Sequence, residues 1–315
     1  DIITQDTDID AQVELLLELG QEDIVTPVLS PNALWEHVNF GINPVASYKR
    51  PDFFEDVRMR QAIAYCLNRQ SVVDTVLYGQ SIVLDSYIPP THPLYAGDRL
   101  TTYRYDPAKG IALLEEMGWV DTDEDGIREA QGVESSTIED GTRLAFKWQT
   151  LNADPALQYL PIYQKNLAAC GIEVDPEYLP AGERFFEGPE DPLFGRSFDL
   201  ASFAWLTGIL PPCNLYLSSE IPGEANEWIG HNAPGFISEE FDAACKRALA
   251  ALPGTEEYVE AHKEAQRIFS EQLPALPLFL HLNIAVIRSE VIGFIMDPTQ
   301  YSEIWNVEAF DLEMP

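Results

Sequence analysis

Three patterns in a row between residues 144 and 174 constrain the fold most. Leu144, Phe146 and Trp148 alternate with polar neighbours, as a half-buried strand requires. Leu157 to Cys170 has helical spacing and stops at Gly171, and Ile172 to Val174 resumes as a strand. Strand, helix, strand in that order predicts an α/β layer arrangement, with helices covering a sheet. The rest of the chain supplies the other pieces. Met59, Ile63, Cys66 and Leu67, then Val72, Val73, Val76 and Leu77, are spaced for a helix that restarts in the middle. Asp56 and Asn68 are suited to cap its two halves, and Gly79 to end it. Asp106-Pro107 opens another helix, with Ile111, Leu113, Leu114 and Met117 on its buried side and Gly118 at its close. Helices are also predicted over Ser238 to Leu252 and Thr255 to Leu273, each with a hydroxyl cap and glutamates in the first turn. Phe198 to Trp205, Leu276 to Arg288 and a shorter run near Val291 to Ile295 read as strands. Asp85 to Tyr95 is too rich in proline for either element and reads as a loop packed by its own aromatics. No internal repeat or low-complexity linker divides the chain, so one domain with a trailing segment is expected.

Composition excludes several classes of function. With 46% hydrophobic and 11% aromatic residues in 315, the chain can bury a core despite its charge. The 19 basic residues against 52 acidic ones leave a net charge of -33, which repels nucleic acid phosphates and anionic headgroups. No apolar run approaches the roughly 18 residues of a membrane span. Cys66, Cys170, Cys213 and Cys245 form no CxxC pair and have no histidine at metal-ligand spacing. Cys66, Cys170 and Cys245 fall on apolar helical faces and read as small core residues. His37, His92, His231, His262 and His281 are scattered, and no nucleophile elbow, zinc helix or phosphate loop is present. Carboxylates are too abundant for any pair to mark an acid/base site, so catalysis is not expected.

One local pattern has chemical content. Asp121, Asp123 and Asp125 occupy the first, third and fifth positions of a calcium loop, with Gly126 at the sixth. Glu129 stands at the ninth, where it can serve directly or through water, but Gly132 stands at the twelfth, where a bidentate glutamate belongs. Two readings stay open: a calcium site formed by Asp121, Asp123, Asp125 and Glu129, or an Asp/Gly-rich turn joining helix to strand. No other cofactor is indicated.

The stretch Asp56-Val-Arg-Met-Arg-Gln-Ala-Ile-Ala-Tyr-Cys-Leu-Asn-Arg69 closely resembles a signature of the family 5 solute-binding proteins, the peptide/nickel-binding class of ABC importers. Ile88-Pro89-Pro90, Tyr105-Asp106-Pro107-Ala108-Lys109 and Leu113-Leu114-Glu115-Glu116-Met117-Gly118-Trp119 follow in the family's order. Phe198-Asp199, Trp205, Asn232 to Phe236, Asp242 and Leu276-Pro277-Leu278 resemble its later landmarks. The resemblance implies a lobe of the type II periplasmic-binding-protein kind, a mixed sheet flanked by helices. It implies that the chain starts at Asp1 just past a hinge crossing, with a C-terminal lobe over 1–285 and residues 286–315 returning to an N-terminal lobe outside this chain. The implied partners are a peptide or small-molecule ligand held between lobes, the missing lobe itself, and ABC permease subunits. The implied place is the periplasm or the outer face of the cytoplasmic membrane, with lipid anchoring in the full-length protein.

The candidate binding residues follow from the same resemblance. Trp205 matches the family's cleft-lining tryptophan. Members that bind free peptides carry an Asp three residues later, where this chain has Gly208, and some carry an Arg three residues earlier, where it has Ser202. Losing both anchors removes charge-assisted contacts to peptide termini and admits neutral ligands such as oligosaccharides. Aromatics concentrate from Trp205 through Tyr216 to Trp228 and Phe236, as suits a cleft, although Trp228 and Phe236 equally suit a core. Trp205, Ser202, Gly208, Tyr216 and Asn232 are the expected ligand contacts, with Ser202 and Gly208 beside Trp205 on the cleft surface. Besides an oligosaccharide binder, a calcium-stabilised cell-surface domain and a glycosidase using two carboxylates compete with this reading.

Overall fold

The computed structural model describes residues 2–4, 12–180, 184–186, 188–297, 300 and 302–313. Its centre is a six-stranded mixed sheet. The elements in chain order are β1 (Ile2–Thr4), α1 (Val13–Gln21), β2 (Val25–Phe40), α2 (Val57–Cys66), α3 (Arg69–Thr75) and α4 (Pro107–Glu116). A small hairpin of β3 (Trp119–Val120) and β4 (Glu129–Ala130) precedes β5 (Ala145–Leu151), α5 (Ala156–Ala169), β6 (Glu173–Leu179) and β7 (Leu200–Leu206). The chain then forms α6 (Glu239–Ala250), α7 (Glu256–Gln272), β8 (Ala275–Arg288) and a second small pair, β9 (Val291–Ile292) with β10 (Asp311–Leu312). The sheet order is β1-β8-β2-β7-β5-β6. The β5–α5–β6 unit is the strand-helix-strand signal of the sequence, and β7 joins β5 in parallel on its other side.

The caps explain why these helices start where they do. Asp56 accepts from the backbone N–H of Arg58, Asn68 from Ser71 and Asp106 from Lys109. Ser238 and Thr255 do the same for α6 and α7. Each satisfies one of the donors that a helix N-terminus leaves free. Gly118 closes the α4 segment at φ +93°, a conformation that L side chains rarely adopt.

The sheet separates two layers. Val38 and Phe40 of β2, with Leu278 and Phe279 of β8, pack in one core with α2 to α5. Trp35 of β2 and Leu280 of β8 belong to a second core with α6 and α7. The segment Asp85–Tyr95 is irregular, as its prolines predicted, but its Tyr87, Ile88 and Leu94 pack into this second core, Tyr87 against Phe269 of α7, rather than only on one another. The hydrogen-bonding register of β2 with β8 shifts between Pro31 and Trp35, which divides the long ribbon into an inner and an outer half. The strand of β1 is present from Ile2, whereas Asp1 lies outside the described residues. Residue 285, the expected end of the lobe, falls inside β8, whose pairing continues to Arg288.

The cysteines correct the sequence reading. Cys66 is bonded to Cys170, joining the ends of α2 and α5, and Cys213 to Cys245, joining a loop to α6. All are buried, so the apolar faces were read correctly and the bonding was not. The spacing carries no signal because each bond joins segments that only the tertiary fold brings together.

His37 is fully buried, stacked on Trp35 at 4.3 Å and edge-on to Phe203 at 4.5 Å. Burial lowers its pKa from 6.5 to about 3. The unfolded chain therefore takes up the proton first, so the contribution of a neutral His37 is full above pH 6.5 and is lost as the pH falls towards 3. We expect His37→Phe to remove about 3 kcal/mol of destabilisation at pH 4 relative to pH 7. Urea titrations of both proteins across that range measure it; parallel pH profiles would show that water reaches the ring.

Candidate functional site

The strands β5, β6 and β7 run parallel, with Leu151 opposite Leu179 and Thr150 opposite Ser202. Their carboxyl ends therefore share one edge, where open α/β sheets place their ligands. At that edge β7 reaches past its parallel neighbours, and Trp205 pairs with Trp35 of β2. Phe203 and Trp205, two residues apart, point to the same side with ring centroids 5.3 Å apart. His231 lies 5.8 Å from Trp205 and 6.5 Å from Phe194, and Phe186 lies 5.5 Å from Phe203. Gly188 fits between Trp228 and Phe194, since a Cβ there would lie 3.3 and 3.4 Å from theirs.

Trp205 is half-buried, and the chain leaving β7 is apolar and open to solvent. Leu206 is 62% exposed, Ile209 91% and Leu210 61%, and Ile229 beside Trp228 is 73% exposed. Thr207 holds this segment in place by donating its N–H to the Ala33 carbonyl at 2.7 Å and its hydroxyl to that of Tyr87 at 3.2 Å. The Ile209 carbonyl meets His92 Nε2 at 3.0 Å. Gly208 is exposed and a Cβ there would touch only Leu210 N at 4.0 Å, so the missing side chain is not a steric necessity. The result is an aromatic and aliphatic shelf at the carboxyl edge of the sheet. Exposed apolar groups clustered in this way mark a binding surface.

The other expected contacts do not reach this surface. Ser202 lies three residues from Trp205, and alternation along a strand sends it to the opposite face. There Ser202 Oγ accepts from Trp148 Nε1 at 2.8 Å and meets the Tyr159 hydroxyl at 2.8 Å. Tyr159 donates its proton to Glu36 at 2.7 Å, so Ser202 donates to Tyr159 and has no proton left for a ligand. His281 Nε2 contacts the second oxygen of Glu36 at 2.8 Å and completes this buried chain. Burial and the neighbouring Glu36 push the Tyr159 hydroxyl well above its ordinary range, which keeps it a donor. Tyr216 is buried in the second core, 5.0 Å from Phe269. Asn232 is fully buried and staples its loop, donating to the carbonyls of Leu217 at 2.9 Å and Phe236 at 2.8 Å while accepting from Phe236 N–H at 3.0 Å. Of the expected contacts, Trp205 and Gly208 share the shelf; Ser202, Tyr216 and Asn232 are internal. Phe236 is core, as one of its two readings held, whereas Trp228 is half-buried at the shelf.

The sequence reading missed His231, Phe194, Phe186, Ile209, Leu210 and Ile229. Ile209-Leu210 before Pro211-Pro212 was a usable signal, since an apolar pair in a proline-stopped loop has no element in which to hide. Two open grooves lie elsewhere: one of about 630 Å³ lined by Asp56, Arg58, Glu115 and Glu116, and one of about 740 Å³ lined by Tyr48, Lys49, Arg50 and Arg60. Neither includes Trp205, and both are lined by charges of either sign.

Comparison with known proteins agrees on one lineage. Residues 4–226 match the family model described as bacterial extracellular solute-binding proteins, family 5 Middle. The chain is 28% identical over 264 residues to di/tripeptide-binding protein 2 of Pseudomonas aeruginosa, covering 82% of this chain and 44% of that protein. It is 25% identical over 258 residues to heme-binding protein A of Haemophilus influenzae, covering 81% and 42%. An oligopeptide-binding protein from Thermus thermophilus, complexed with a pentapeptide, aligns with a TM-score of 0.73 and 25% identity over 91% of this chain and 48% of that one. The chain thus spans less than half the length of these relatives. Its mixed sheet and covering helices have the architecture of type II periplasmic binding proteins.

Proposed function

Because the chain belongs to family 5 of the bacterial extracellular solute-binding proteins, we propose that it is the ligand-binding lobe of an extracytoplasmic receptor delivering a peptide or similar small solute to an ABC importer. The observation that carries the ligand class is the shelf around Trp205, apolar and without an ionised side chain at position 208. Aromatic faces of this kind hold rings and apolar side chains rather than charged termini. Contacts from a facing lobe complete the site on closure, which shifts the population of states instead of driving chemistry. In this reading the protein is not an enzyme: the shelf offers faces and a His231–Glu220 pair at 3.4 Å, not a nucleophile with its base. Buried disulfides suit an oxidising compartment outside the cytoplasm. Among the described residues no helix is long and apolar enough to cross a membrane.

A second reading, a neutral oligosaccharide, is favoured by Gly208 itself, since a sugar needs aromatic faces and no counter-ion. Intrinsic fluorescence titrations with free peptides, their N-acetylated forms and oligosaccharides separate the two. We expect N-acetylated and free peptides of apolar sequence to bind equally, and Trp205→Ala to weaken them at least about tenfold, or 1.4 kcal/mol. Binding of sugars alone would replace the first reading with the second. Unchanged affinity in Trp205→Ala would remove the shelf from the site.

A further inference from the structure

We propose that the turn between β3 and β4 is a calcium site built from Asp121, Asp123 and Glu129. One carboxylate oxygen from each lies within 4.8 Å of the other two. Oxygens that share one calcium ion, each about 2.3–2.6 Å from it, can be no more than about 5 Å apart. Proximity of acidic groups on an acidic surface is weak grounds alone, and the buried Glu129 with two enclosed carboxylate oxygens supplies the stronger one. Glu129 is more than nine-tenths buried. Its Oε2 accepts from Thr122 N at 2.9 Å and Thr122 Oγ1 at 2.8 Å, which fixes the carboxylate in place. Its Oε1 is enclosed and has no hydrogen-bond partner among the described residues; Arg143 Nη1 stands 3.9 Å away. Asp121 has a similar arrangement: Oδ2 accepts from Gly126 N at 3.0 Å, and Oδ1 is enclosed without a hydrogen-bond partner among the described residues.

Two acceptor-only oxygens, enclosed and without a hydrogen-bond donor among the described residues, with only Arg143 3.9 Å from one of them, suit a cation with oxygen affinity. Calcium meets that need because it takes mixed carboxylate, carbonyl and water ligands in a flexible geometry. The site differs from the one the spacing suggested. Asp125 stands apart, its Oδ1 accepting from Ile127 N at 2.9 Å and its Oδ2 from Arg143 Nη1 at 2.6 Å. Glu129 at the ninth position therefore acts directly, in place of the glutamate missing at the twelfth. With fewer protein ligands the affinity belongs to the weak extracellular class, with a Kd on the order of 10⁻⁴ to 10⁻³ M. The neighbouring Arg128 donates to the Cys170 carbonyl at 2.9 Å and the Trp119 carbonyl at 2.9 Å, so an ordered turn steadies the end of α5.

The test uses this chain with calcium chloride, magnesium chloride and terbium chloride at matched ionic strength, because an acidic coat attracts any cation. Trp119 stands two residues before Asp121 and should sensitise terbium luminescence. Calcium should displace terbium and raise Tm, and magnesium should do so at least tenfold less effectively. Asp123→Asn, at an exposed position, should weaken calcium at least tenfold, and Glu129→Gln should abolish the luminescence, while Glu124→Gln should change neither. Equal effects of calcium and magnesium, or unchanged affinity in Asp123→Asn, would assign the binding to diffuse charge and overturn the site.

Discussion

Replacing Cys66 and Cys170 together by alanine is expected to lower the stability of the chain by about 4 to 5 kcal/mol. The bond closes a loop over a sequence separation of 104 residues, and a cross-link of that span removes about 4.7 kcal/mol worth of chain entropy from the unfolded state. The loop contains α3, α4, the acidic turn and β5, so the bond ties the helical layer to the strand-helix-strand unit. The second bond, across a separation of 32, is worth about 3.7 kcal/mol by the same relation. Urea denaturation of the wild type with and without reductant, and of each paired variant, separates the two. A reduced protein with the oxidised midpoint would show that packing alone fixes these helices.

Arg69→Met should lower stability by about 3 to 5 kcal/mol, the range for removing one partner of a buried charge network. Arg69 is 3% exposed and stands where three segments meet. Its guanidinium donates to the carbonyls of Leu84, of Tyr103 at 2.7 Å and of Pro277 at 2.7 Å, and pairs with Asp85 at 3.3 Å. Methionine fills much of the volume, so the effect reads the lost donors rather than a cavity. It leaves three carbonyls and a buried carboxylate, with Arg104 at 3.5 Å as that carboxylate's remaining cation. A loss below about 1 kcal/mol in urea titrations would mean that water replaces the guanidinium.

Much of this fold was legible because its helices carry local signals. The caps at Asp56, Asn68, Asp106, Ser238 and Thr255 sit where sequence placed them, since a cap depends on the next three residues and not on the tertiary fold. The strand-helix-strand unit was equally local. The central strand β2 escaped notice because Pro27 and Pro31 interrupt it, and proline argues against a sheet interior. Only the outer, partly exposed half of β2 carries them; the inner half pairs with β7 from Leu34 to Phe40 and with β8 from Trp35 to Asn39, with a register shift between Glu36 and His37. The site was less legible. The resemblance pointed to Trp205, which lies at the shelf, and also to Ser202 three residues earlier, but a strand turns an odd offset to the other face. Tyr216 and Asn232 share the loop-rich composition of a cleft, yet the first fills a core and the second answers buried carbonyls. Loop sequences do not state which of their polar groups face inward.

The ribbon at the edge of the sheet sets how the shelf can move. Ile2 faces Ile287 and Thr4 faces Ala285, while Val25 to Pro31 flanks β8 on its other side. Nearly all of the body is thus a closed excursion that leaves and returns through one three-stranded neck. Such a neck behaves as a torsion bar, stiff along its hydrogen-bonded length and compliant to twist and bend across its width. The shelf is joined to it through β2, since Trp205 pairs with Trp35 in the strand that flanks β8 in the neck. A twist of the neck is therefore expected to re-aim the shelf around Trp205 together with the rings packed on it.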